Sequence, residues 1–309
     1  MAQIHGKIET LVSLRDELHS RGVRDFSSVK EINDFLKRYE QRKESIQLNA
    51  KIALEMELKA LHQEERLLNK EYRQYKKDGS FFSFFKQNRS HRKLKSKQRE
   101  ISLISNNYEG HLLSVQVKAI RNLVYQKTVL EDLKPLIAGA VGERKVENEL
   151  KKLPDHCHIF NNFVLRFDKA LYYKPKGEYI QSIQIDHLVL TRAGLFIVET
   201  KNWSDKTLDN PNMYSPVNQV RRCSFALYIA LQDKKVRGLS LTKKIWGVPK
   251  IPIRNIIALI NRKPNLTFDH VKLKKVEELN SYINYFQPVF TVDEVARIAK
   301  QLRRMNEAL

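Results

Sequence analysis

At 309 residues and 42% hydrophobic, the chain is long enough for about two domains and apolar enough to give each a core. A formal net charge of +21 exceeds what solubility requires and points to a polyanionic partner, nucleic acid or an anionic membrane. Two cysteines, Cys157 and Cys223, exclude a disulfide framework and a four-cysteine zinc site. No window reaches the roughly 18 apolar residues of a membrane span, and the first residues carry acids where a leader would be basic and apolar. The expectation is a cytoplasmic chain with no integral membrane segment.

Residues 1–137 hold a single proline, Pro135, and almost no glycine between Val23 and Gly79, the composition of long helices. Leu54, Leu61, Leu68 and Tyr75 fall seven apart, with Leu58 and Tyr72 four residues after the first and third, a coiled-coil seam. Leu94, Ile101, Tyr108, Val115, Val129 and Leu136 repeat the spacing, with Asn122 interrupting it. Asp78 and Gly79 break the pattern, so the spacing predicts an antiparallel helical hairpin with residues 78–90 at its tip. A parallel homodimer through the same seams competes with it. The tip carries "SFFSFFK", residues 80–86, either a cap on the hairpin or an exposed aromatic wedge. The following "KQNRSHRKLKSKQR" has seven basic residues and no acid. Arg89, Arg92, Lys93, Lys95, Lys97 and Arg99 are candidate phosphate contacts, against the alternative of a solvated helix face.

After Pro135 the texture changes, and residues 138–309 are taken as a second domain. A helix is predicted over 141–153, then strands over 157–165, 179–191 and 195–203. A helix follows from Pro216 to Leu231, then a strand at 253–260 apolar on both faces, a strand near 269–274 and a helix from Val276 to Tyr285. The last helix is capped by Thr291 with Glu294 three residues on. Strands framed by helices predict an α/β fold with a mixed central sheet.

Within it, "IDHLVLTRAGLFIVETKNW", residues 185–203, is an apolar hairpin bearing three charges. With the turn at Thr191–Gly194, paired positions sum to 385, which sets Asp186 opposite Glu199. Alternation puts Asp186, Leu188, Glu199 and Lys201 on one face, and His187, Val198 and Thr200 on the other. Opposed carboxylates repel and need compensation. A divalent cation would supply it, with Lys201 left to stabilise charge on a phosphate. An internal salt bridge from Lys201 would also supply it.

The order "GE" at 142–143, "QIDH" at 184–187, "IVETKNW" at 197–203 and "PVNQ" at 216–219 resembles the nuclease-related domain family, NERD, of the PD-(D/E)xK nuclease superfamily, over residues of about 138–305. The resemblance implies a restriction-endonuclease-like sheet and metal-dependent phosphodiester hydrolysis with Mg²⁺ or Mn²⁺, DNA being the substrate ahead of RNA, in a bacterial protein. It implies that Asp186, Glu199 and Glu143 hold the metal, with the Thr200 backbone carbonyl as a further ligand. Lys201 would stabilise developing charge, Gln219 would position substrate or lysine, and Gln184 would line the rim. Lys174 and Lys176 are candidates for the entrance to the site. The helical region lies outside the resemblance.

Other features carry less. In "DHCHIF", residues 155–160, alternation separates Cys157 from His156 and His158, which argues against zinc. His187 reads as a core histidine, Asn202 and Trp203 as the end of a strand, and "TKKIWGVPKIP", 242–252, as a linker or a groove cover. Two alternatives to a nuclease stand beside it: a nucleic-acid-binding protein using the fold without cleavage, and a coiled-coil scaffold with an accessory nuclease-like domain.

Overall fold

The computed structural model describes residues 1–78, 81–202, 214–232 and 251–307. The chain divides into two compact units, Asp25–Asp132 and a second that joins Met1–Arg24 to Leu133–Leu309.

The first unit is helical. Helix α2, Val29–Lys37, starts where the Ser28 side chain accepts the Glu31 amide, and α3 runs from Tyr39 to Asp78. Helix α4, Phe81–Ser105, returns against α3, and α5, Tyr108–Asp132, also packs on α3. Leu54 and Leu61 of the first seam are buried with Ile101, Ile104 and Leu112 of the return limb, and Leu58 and Tyr108 pack on them. The predicted intrachain hairpin is therefore formed. Because its seams close on each other within one chain, the expected homodimer through them finds no support. The return limb breaks at Asn106–Asn107, while Asn122, which interrupts the apolar spacing, leaves α5 continuous. The Asn107 side chain accepts the Gly110 amide at 3.3 Å and starts a new helix, whereas Asn122 lies exposed on α5.

The second unit is a sheet with helices on both faces. Helices α1, Glu9–Ser20, and α6, Lys134–Leu150, precede five strands: β2 (His158–Tyr173), β3 (Glu178–Thr191), β4 (Gly194–Lys201), β5 (Ile253–Leu259) and β6 (Val271–Lys275). Helix α7, Tyr214–Gln232, lies between β4 and β5 in the chain, and α8 (Leu279–Asn284) and α9 (Val292–Glu307) follow β6. Strand β1, Gln3–His5, joins β2 in parallel, so the described sheet has six strands in the order β1 to β6. Strands β2, β3 and β4 are antiparallel, and β4, β5 and β6 run parallel, giving the mixed sheet predicted. The boundary expected at residue 137 misassigns the first 24 residues, because β1 and α1 pair and pack with β2 and α6 of the sheet unit.

Two cores sandwich the sheet. Leu188, Leu190, Leu195, Ile197, Ile257 and Leu259 face α7 and α9, while Val189, Phe196, Val198, Ile256 and Ala258 face α6 and α8. Strand β5 is thus apolar on both sides over Ile256–Leu259, which explains the hydrophobic run that follows Arg254 and Asn255. The turn before β4 depends on Gly194, whose φ is +121° and where a Cβ would lie 2.6 Å from the Pro252 carbonyl oxygen. Reciprocal bonds at 2.8 and 3.2 Å between Thr291 and Glu294 form the predicted capping box of α9. Among the described residues no helix is long and apolar enough to cross a membrane.

Candidate active site

The β3–β4 ladder keeps the predicted register from Thr191↔Gly194 to His187↔Val198 and then stops. The next step would pair Asp186 with Glu199. There the Asp186 carboxylate instead accepts the Thr200 amide at 2.8 Å, a side chain taking the place of a backbone acceptor. Face alternation on β3 also changes here, since Ile185 and Leu188 both enter the α7-side core. On β2 the same happens between Phe160 and Phe163, around Asn162 at φ +50°. The irregularity opens the sheet at Asp186.

Strand β4 continues past this point, held by β5 through Lys201↔Leu259. Glu199 and Lys201 follow Leu195 and Ile197 on the α7 side, where Lys201 Nζ lies 2.7 Å from Glu199 Oε1. Helix α7 brings Gln219, whose amide favours ionised Glu199. From the opposite face, Gly142 lets α6 approach closely: a Cβ there would lie 3.2 Å from Ile260 and 3.3 Å from Thr200 Cγ2. That approach sets Glu143, 8% exposed, within electrostatic reach of Asp186, Glu199 and Lys201. Four sequence-separated motifs therefore converge on one end of the β3–β4 hairpin.

The cluster is short of positive charge. Burial and then the Asp186 charge push Glu143 up to about 8. Burial and the same charge push Glu199, 2% exposed, up to about 7 despite Lys201 and Gln219. Asp186 is raised by burial, against the Thr200 amide and Lys201. Burial opposes the Lys201 ammonium, but Glu199 and Asp186 outweigh it and hold its pKa above the ordinary value. Two buried carboxylates, Glu143 and Glu199, and the half-buried Asp186 stand around one lysine, a hard-oxygen cluster with more negative than positive charge. That chemistry fits Mg²⁺ or Mn²⁺, which take one or two carboxylates and leave room for water and substrate oxygens. Among the described residues no group of three His, Cys, Asp or Glu is placed to hold a metal ion, so Glu143, Asp186 and Glu199 do not form a three-carboxylate ligand set in this arrangement. Thr200 meets Asp186 through its backbone amide, and its hydroxyl is buried with no hydrogen-bond partner among the described residues.

Other expected residues lie elsewhere. Gln184 is exposed and donates to Asn162 Oδ1 at 2.7 Å, and Asn162 donates to Glu9 at 2.8 Å, which ties Gln184 to α1. Lys174 and Lys176 occupy the turn between β2 and β3. That turn is roughly 25 Å along β3 from Asp186, so they do not border the carboxylates. Arg89, Arg92, Lys93, Lys95 and Arg99 are exposed on α4, whereas Lys97 is bound to Glu64 and Glu100 at 3.1 and 3.2 Å. Trp203 and residues 242–250 lie outside the described residues.

Sequence reasoning missed a buried polar chain under the hairpin. His187 Nδ1 meets Asn161 Oδ1 at 2.7 Å, Asn161 donates to Glu147 at 2.7 Å, and Glu147 pairs with Arg144 and Lys151. Complete burial drives His187 down to about 4, and its Nε2 has no partner, so the core histidine is only half satisfied. His158 faces His5 of β1 at 3.0 Å, while Cys157 turns into the other core, the separation expected from alternation. The pairing of β1, more than 150 residues away in sequence, is what the local pattern could not show.

A relative in Bacillus anthracis, an uncharacterized protein, is 30% identical over 93 residues, covering 30% of this chain and 39% of that protein. The chain thus spans well under half of the relative it matches. No solved structure matches the chain. The sequence model of the nuclease-related domain matches residues 138–260, the stretch that supplies Glu143, Asp186, Glu199, Lys201 and Gln219. Residues 138–260 are thus similar to the nuclease-related domain family, NERD.

Proposed function

We propose that this chain is a metal-dependent nuclease that hydrolyses phosphodiester bonds of DNA. The observation that carries the reading is the convergence of Asp186, Glu199 and Lys201 in a buried, under-neutralised cluster within the matched domain. Asp186 and Glu199 would hold Mg²⁺ or Mn²⁺, with Glu143 and the Thr200 carbonyl as further ligands. When bound, the ion supplies Lewis acidity toward a phosphate oxygen and lowers the pKa of water. Lys201, 2.7 Å from Glu199, would present its ammonium to the scissile phosphate and to the negative charge that develops there. Gln219 orients Lys201 and Glu199 from α7, and Glu143 takes or gives a proton at the edge of the cluster. The charge of +21 attracts the backbone without reading sequence, which makes binding steeply salt-dependent.

The 2.7 Å ion pair favours a second reading. If it is the permanent partner of Glu199, the fold binds nucleic acid without cutting it. The deciding experiment incubates the protein with supercoiled, linear and single-stranded DNA and with RNA, in Mg²⁺, Mn²⁺ or chelator, with Lys201→Ala as control. Metal-dependent cleavage of DNA that Lys201→Ala lacks supports the nuclease. Salt-sensitive binding, no cleavage and no calorimetric metal site would establish the second reading.

A further inference from the structure

The aromatic tip of the helical hairpin lies in the helical unit, Asp25–Asp132. Phe81, Phe82, Phe84 and Phe85 at the start of α4 are 75%, 79%, 57% and 61% exposed. The inward positions of this stretch are instead Ser83 and Ser90, both buried, with Ser90 Oγ donating to the Leu68 carbonyl at 3.3 Å. This inverts the usual pattern, in which a helix buries its large apolar side chains and shows its serines. The expectation that the cluster merely caps the hairpin does not describe these side chains. Phe81 packs edge-on against Phe82 and Phe85, with ring centroids 6.1 and 5.4 Å apart, and Phe84 against Phe85 at 6.0 Å. The rings form one continuous apolar knob, whereas stacking on bases uses separated ring faces.

Cations surround the knob. Lys76 and Lys77 at the end of α3 and Lys86 and Arg89 one to two turns into α4 are exposed. An apolar knob ringed by positive charge matches the two signals that hold a protein on an anionic bilayer, hydrocarbon burial and headgroup attraction. We propose that the end of α3 and the start of α4 form a membrane-surface anchor, with Phe81, Phe82, Phe84 and Phe85 entering the acyl boundary of an anionic bilayer and Lys76, Lys77, Lys86 and Arg89 meeting its headgroups. Such an anchor lies in the interface and does not span it, so it needs no helix long enough to cross.

The test is sedimentation of the full chain at moderate salt with vesicles of phosphatidylglycerol and phosphatidylcholine, or of phosphatidylcholine alone. The parent is expected to sediment with the anionic vesicles only. The F81S/F82S/F84S/F85S variant keeps every charge and is expected to lose at least about tenfold in partition. The K76Q/K77Q/K86Q variant is expected to lose a similar factor on anionic vesicles. Failure of the parent to bind, or equal binding by the serine variant, would overturn the proposal. So would a serine variant whose only change is a smaller assembly in light scattering, which would make a second copy the occupant. Loss of single-stranded DNA binding without vesicle binding would assign the knob to bases and also overturn it.

Discussion

Replacing Lys201 with Met removes the one described cation that acts on Glu143, Asp186 and Glu199 together. Its Nζ lies 2.7 Å from Glu199, a side chain only 2% exposed, so the variant leaves a buried carboxylate without its partner. Breaking a buried pair from one side costs about 3–5 kcal/mol when the remaining group must stay charged. Glu199 can avoid that cost by keeping its proton, and this makes the loss depend on pH. In the parent, Glu199 has a folded pKa of about 7 against an ordinary 4.5. The folded state therefore binds more protons than the unfolded state as pH rises from 4.5 to 7, and stability falls over that window. Without Lys201 the folded pKa rises further and the penalty extends to higher pH. At pH 5 the parent and the variant should differ by less than about 1 kcal/mol. At pH 8 Glu199 can widen the gap by at most about 1.4 kcal/mol, because the parent already carries most of the penalty there, or roughly 3–6 °C in a unit of this size. Thermal unfolding in chelator at both pH values measures it, and Mn²⁺ should restore more stability to the variant than to the parent. A gap of equal size at pH 5 and pH 8 would refute the coupling of Lys201 to the carboxylates.

The remaining expectations concern other parts of the molecule. Glu143→Gln removes a carboxylate held at about 8 by burial and by Asp186. Urea unfolding at pH 8 should show the metal-free protein stabilised by on the order of 2–4 kcal/mol, with the gain vanishing near pH 4, where both states hold the proton. Asn161→Leu leaves His187 Nδ1 and one Glu147 oxygen without their partner, and should cost about 2–3 kcal/mol in the same assay. Gly194→Ala meets both the positive φ and the Pro252 carbonyl, and should lower stability by about 1–3 kcal/mol or prevent folding. If α4 contacts phosphates, replacing Arg92, Lys93, Lys95 and Arg99 by Gln should flatten the logarithmic salt slope of DNA binding by roughly 3–4. An unchanged slope would return those residues to solvent.

The hairpin was legible because a tight turn fixes its register: Leu190 pairs with Leu195 and His187 with Val198, as counting outward from Gly194 requires. The same counting placed Asp186 against Glu199, but the ladder ends one pair earlier because the Asp186 side chain captures the Thr200 amide. Periodicity describes backbone pairing and has no term for a side chain that competes with it. The helical hairpin was legible from seams seven residues apart, whereas the break within its return limb was not, because Ile101 and Tyr108 keep the seven-residue spacing across it. The real break is at Asn107, which can cap a new helix. Helix-rich composition also drew residues 1–24 into the wrong unit, since β1 finds its partner only across the fold. Among site residues, Glu143 was reached through the family resemblance, while Gly142 explains it physically, as the position where α6 touches β4. Gln184 followed strict alternation, and the irregularity at Asn162 and Asp186 removed the basis for it.

The central claim is that the Asp186, Glu199 and Lys201 cluster cuts DNA. The most direct measurement is the single-turnover cleavage rate of duplex DNA in Mn²⁺ by the parent and by Asp186→Asn, Glu199→Gln and Lys201→Ala. The account predicts cleavage by the parent that each substitution lowers by at least about a hundredfold, while DNA binding is retained. A parent that leaves DNA intact, or variants that cut as fast as the parent, would contradict it.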